Sequence, residues 1–151
     1  EDIIFLDSDD LHDLDQLLNA VEASRNMLVI LSENYLSRPW CLMELWKALS
    51  NGIRVLPVKL EQSGRASFDF DRAQAYARNL QCAPGINDEA VTVIEEHGAS
   101  VEVVQAAVQR VLKIIADDYN AAATKGVREA QLNDICKKID TQNVGHLHKK
   151  K

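Results

Sequence analysis

Long apolar runs, closely spaced cysteines and clustered basic residues are what this chain of 151 residues lacks. No apolar stretch approaches the roughly 18 residues that span a bilayer, and no basic segment with an apolar core opens the chain, so no membrane contact is expected. The three cysteines, Cys41, Cys82 and Cys136, stand far apart and show no C-x-x-C spacing. That argues against a disulfide framework and a zinc site and favours a reducing, cytoplasmic setting. The net charge of −6 opposes a nucleic-acid partner, whose phosphates would meet a surplus of carboxylates. Only His148-Lys149-Lys150-Lys151 is locally basic, and four residues of that kind read as a solvated tail. No G-x-S-x-G, P-loop or G-x-G-x-x-G is present, and the histidines at 12, 97, 146 and 148 are scattered. Triad hydrolase and NTPase chemistry therefore gain no support.

With 46% hydrophobic and 26% charged residues the composition is that of an ordinary globular protein, and the length suits one domain. Residues 2 to 6 read as a strand and the acidic Asp7-Ser8-Asp9-Asp10 as a turn. A helix then runs from about Asp13 to Ala23, with Leu14, Leu17, Leu18 and Val21 as its core stripe and Asp13 and Gln16 as a capping box. Met27 to Leu31 reads as a fully buried strand, Trp40 to Ser50 as a helix stopped by Asn51-Gly52, and Arg54 to Leu60 as a strand. Pro57 removes a ladder hydrogen bond, which predicts a bulge or a sheet edge there. Successive βα units imply a parallel sheet with right-handed crossovers. Beyond it come a helix over Asp69 to Leu80, a short helix or strand over Asn87 to Glu96, and a long helix from Ser100 to about Asp117. That last helix is striped by Val101, Val104, Val108, Val111 and Ile115. Residues 118–151 are read as a helical tail or linker, with a helix near Val127 to Ile139, which leaves 1–117 as the domain.

Ser32 to Leu45, reading SENYLSRPWCLMEL, joins the strand Met27 to Leu31 to the next helix. On a helical wheel Leu42, Leu45, Trp46 and Leu49 face the sheet, while Trp40, Glu44 and Lys47 share the other side. Trp40 and Glu44, one turn apart, meet at the rim where open α/β sheets bind ligands. This stretch resembles the signature of the TIR (Toll/interleukin-1 receptor) family, in which a strand is followed by a Ser-Glu-x-Tyr loop and a Trp-Cys-x-x-Glu helix start. Ile4-Phe5-Leu6-Asp7 is similar to the family's second strand and Ile53 to Leu60 to its fourth. The resemblance implies an α/β, flavodoxin-like doubly wound parallel sheet. Since the chain opens at Glu1 and enters a strand almost at once, it also implies that the first βα unit is missing and that stability is marginal.

Two functions follow from the resemblance. One is intracellular signal transduction by TIR–TIR self-association, homotypic or heterotypic, with an oligomer formed on activation. The other is NAD+ glycohydrolase activity through Glu44 as catalytic residue, with NAD+ as substrate and no cofactor or metal required. Trp40 would stack on a nicotinamide or adenine ring, and Ser32 and Asp7 would bind the substrate. The bland alternatives are a surface Glu44 paired with Lys47, a Trp40 that plugs the sheet, loop hydrogen bonds for Ser32, and a solvated acidic turn for Asp7, Asp9 and Asp10. A Mg²⁺ site in that turn would need a further aspartate at the end of the next strand, where Leu31-Ser32 supplies none. A purely non-catalytic interaction module, or another flavodoxin-like ligand-binding domain, is the alternative for the whole chain. Ser8 to Leu14 corresponds to the family's BB loop but lacks its glycine.

Overall fold

The computed structural model describes residues 13–140; the strand expected over residues 2 to 6, the acidic turn with Asp7, and most of Ser8 to Leu14 lie outside them. Helix α1, Leu14–Ala23, begins where the sequence placed its cap. The Asp13 carboxylate accepts the Asp15 amide at 2.9 Å, and Leu14, Leu17, Leu18 and Val21 are all buried. Strand β1 (Asn26–Leu31) leads into α2 (Pro39–Ser50), and β2 (Arg54–Glu61) follows. Gly52, at φ 68°, takes the left-handed conformation that ends α2, and the Ile53 amide closes the turn on the Ala48 carbonyl at 2.9 Å. Three further helices come next: α3 (Phe70–Arg78), α4 (Asp88–Glu96) and α5 (Val101–Val111). Each is capped from its own sequence, by Asp69, Asn87 and Ser100 respectively. Strand β3 (Asp117–Asn120) and α6 (Lys125–Asp140) complete the described chain.

Among the described residues the sheet is parallel throughout, in the order β1-β2-β3. Together with the helices this is the α/β, flavodoxin-like arrangement that the sequence implied. Its register assigns the faces. Val29 and Leu31 share one face with Val55, and they join α1, α2, α3 and α5 in a single core cluster. Leu28 and Ile30 pair with Leu56 and Val58 on the other face. Val58 in turn pairs with Asp117, which receives both Lys138 contacts at 2.7 Å, so α6 lies on that second face. Ile135 of α6 is buried there.

Several expectations need correction. β1 is not fully buried: Leu28 is 45% and Ile30 41% exposed, because the strand alternates and α6 covers the second face only from the β3 side. Pro57 marks neither an edge nor a bulge, for β2 is the middle strand of the described sheet with continuous register. Pairing with β3 begins at Val58, one residue later, so no neighbour on that side needs an amide from Pro57. The long helix stops at Val111 rather than near Asp117, and Ile115, counted in its stripe, is 88% exposed. Residues 112–116 form instead the turn that leads into β3, which pairs with β2. The helix expected over Asp69 to Leu80 ends at Arg78 and gives way to a 3-10 turn, Leu80–Cys82. The Asn87 to Glu96 ambiguity resolves as helix. On α2, Leu42 and Leu45 are buried as expected, but Met43 and Ala48 join them while Trp46 and Leu49 stay half-buried. The helix is wedged between the sheet, α1 and α5, which widens its apolar face.

Candidate functional site

The loop between β1 and α2 is built from its own polar residues. The Tyr35 amide donates to the Ser32 carbonyl at 3.1 Å, and the Ser37 amide and hydroxyl both donate to the Asn34 carbonyl, at 3.1 and 3.0 Å. These bonds wind Tyr35–Ser37 into a 3-10 turn. Pro39 then occupies the first position of α2, where its missing N–H is of no consequence. A second loop buttresses the turn. Gly85 has φ 86°, and a Cβ there would stand 2.2 Å from the Ser37 carbonyl oxygen. Only glycine lets those two backbones approach so closely.

Tyr35 is the pivot of this region. Its ring is buried in the main core, and its hydroxyl donates to the Cys41 carbonyl at 3.3 Å across the first turn of α2. Burial chiefly, and then electrostatic interaction with Cys41 and Glu44, push the phenol well above its ordinary range. Tyr35 therefore stays protonated, a fixed donor within the field of the Glu44 carboxylate. Glu44 is half-buried on α2, and Trp40 one turn earlier is 40% exposed. Lys47, the partner the sequence offered Glu44, instead pairs with Glu22 of α1 at 3.3 Å.

Ser32 stands apart from that pair. It is half-buried, forms an isolated antiparallel bridge with Ser67, and lines a small cleft of about 70 Å³ with Asn34, Arg38, Gln62 and Arg65. A larger cleft of about 190 Å³ adjoins it and shares Glu33, Asn34 and Ala66; Leu36, Phe68, Asp69, Arg72 and Tyr76 are among its other walls. Neither Trp40 nor Glu44 lines either cleft. The structure thus brings Trp40 and Glu44 onto one helix and places Ser32 in a separate depression, while Asp7 lies outside the described residues. The arginines at 38 and 65 and the aromatic wall were not singled out from sequence, because their loops read as connectors. Among the described residues no group of three His, Cys, Asp or Glu side chains is placed to hold a metal ion, and no helix is long and apolar enough to cross a membrane.

Three comparisons bear on this geometry. The family model described as TIR domain matches residues 5–84, just over half of the chain. A solved structure of the TIR domains in the activated Roq1 resistosome directly recognizing the pathogen effector XopQ is 23% identical. The match covers 89% of this chain and 80% of that one, with a TM-score of 0.54. At that identity the likeness concerns the fold. No match is found among curated proteins.

Proposed function

The chain belongs to the TIR domain family, and from that membership we propose a cytoplasmic signalling domain that acts by associating with other TIR domains and cleaves NAD+ with Glu44. The observation that carries the catalytic part is the register of Trp40-Cys41-x-x-Glu44 at the start of α2. It leaves the carboxylate half-buried at the ligand-binding end of the sheet, beside a phenol that stays protonated. Cleavage breaks the bond between ribose C1′ and the nicotinamide nitrogen, and the bonding pair leaves with nicotinamide. The positive charge left on the ribose is what a nearby carboxylate stabilises and orients. Water then adds at C1′ and releases a proton, giving ADP-ribose. Nicotinamide is already a good leaving group, so the step calls for neither metal nor cofactor. The exposed ring of Trp40 is open to stack on nicotinamide or adenine. Ser32 and Asp7 complete the proposal as substrate contacts.

The test is nicotinamide release from NAD+ by the wild type and by Glu44→Ala, at concentrations where the protein associates. Release by the first and loss in the second is expected. Equal release from both would sink the catalytic part. Association through Ser8 to Leu14 is tested separately, by light scattering of a variant with Asp9 and Asp10 changed to lysine. Unchanged concentration dependence would remove that loop from the interface.

A further inference from the structure

Arg38 and Arg65 reach one small cleft from two different loops, Arg38 from the start of α2 and Arg65 from the turn after β2. Both are exposed, and neither guanidinium has an ion-pair partner among the described residues. Arg72, in the adjoining cleft, is by contrast held near Asp69 at 3.9 Å. Two unpartnered guanidiniums around a depression of about 70 Å³, with the Ser32 hydroxyl and the Asn34 and Gln62 amides beside them, form a donor-rich notch of phosphate size. The larger cleft has a different character. Tyr76 and the edges of Phe68 and Leu36 add aromatic and apolar surface to a lining that also holds Ser37, Ser67, Asp69 and Arg72, and its volume of about 190 Å³ takes a purine ring.

We propose that the two clefts together bind a nucleoside monophosphate, with the phosphate between Arg38 and Arg65 and the base against Tyr76 and Phe68. The shared wall fixes the orientation. Glu33, an exposed acceptor on that wall, suits ribose hydroxyls, and the two guanidiniums hold the anion at the far end of the smaller cleft. Size restricts the ligand class. The two volumes together fall short of the range that drug-sized ligands occupy, which favours a mononucleotide over a dinucleotide. The cleft lies at the carboxyl ends of β1 and β2, as ligand sites in open α/β sheets do. Glu44 and Trp40 line neither cleft, so of the residues proposed for NAD+ cleavage and placed in the structure this site shares Ser32 alone, and its test does not depend on Glu44.

Titration of the full chain with AMP, adenosine and inorganic phosphate, followed calorimetrically and by amide NMR shifts, tests the assignment. AMP should bind about tenfold more tightly than adenosine, as expected for charge-assisted contacts to one anionic group. Arg65→Ala and Arg38→Ala should each weaken AMP by about tenfold and leave adenosine within about twofold. Arg78→Ala, an exposed arginine outside both clefts, should leave AMP unchanged and so reports any general effect of lost positive charge. Four results would overturn the proposal: no AMP binding, equal affinity for AMP and adenosine, equal weakening by Arg78→Ala, or loss of AMP binding in Glu44→Ala. Well-dispersed NMR spectra of each variant keep a folding defect from being read as lost binding.

Discussion

The two faces of the sheet are made by the same strands and end in different states. On one, Val29, Leu31 and Val55 meet α1, α2, α3 and α5 and disappear into a continuous core. On the other, Leu56 and Val58 are buried, as is Ile135 of α6, but Leu28 and Ile30 remain open. β1 supplies apolar side chains to both faces with equal generosity, so hydrophobicity alone does not decide which side closes. What differs is the cover: every described helix from α1 to α5 adds buried side chains to the cluster on the first face, whereas α6 lies on the second.

The contrast can be broken most forcefully at the closed face. Leu45→Ala, at a side chain with no exposed surface in the middle of α2, should cost about 3 kcal/mol by lost transfer energy and the cavity left behind. Urea unfolding would measure it, and a cost below about 1 kcal/mol would mean that the core is loosely packed there.

Tyr35→Phe comes next, because it removes a buried donor from the Cys41 carbonyl, and about 1 kcal/mol is expected at neutral pH. Its pH signature is more specific. The native phenol holds its proton to higher pH than the unfolded one, so between those two values the unfolded chain binds fewer protons. Stability from this group is therefore complete below the ordinary tyrosine value of about 10 and falls as pH rises beyond it. A wild type that loses stability in that alkaline range more steeply than Tyr35→Phe is the expected result; parallel profiles would contradict it.

The open face should respond weakly. Lys138→Met removes the contacts to Asp117 that fasten α6 to β3, and less than about 1 kcal/mol is expected, diminished further by salt. Native-state hydrogen exchange should show α6 opening before α2 in both proteins, and earlier in the variant. Smallest of all, Leu28→Thr with Ile30→Thr should change stability by about 0.5 kcal/mol or less, since β-branched threonine suits a strand and little burial is lost. A large loss would mean that these side chains are covered in solution, and the two faces would then be less different than their exposures suggest.

Legibility followed the same division. α1, α2 and the first two strands were readable because each carries its own stripe, cap or stop, from Asp13 to Gly52. β3 was not. Asp117, Asp118, Tyr119 and Asn120 have no strand signature, and they pair because the chain after α5 returns beside β2. The Trp40 and Glu44 pair was visible as a motif on one side of a helix, whereas the arginine and aromatic clefts join residues from three separate loops and have no linear pattern.

The sequence by itself determined the α/β class, the parallel order, the closed face of α1 and α2, and the family, because helical and strand periodicities and a local motif are properties of neighbours along the chain. Tertiary structure alone decided that Pro57 stands in the middle strand, that residues 117–120 extend the sheet, that Tyr35 keeps its proton beside Glu44, and that Leu28 and Ile30 stay open. Each of these depends on what lies across a ladder or over a face, and burial and charge act through space between groups that the sequence keeps far apart.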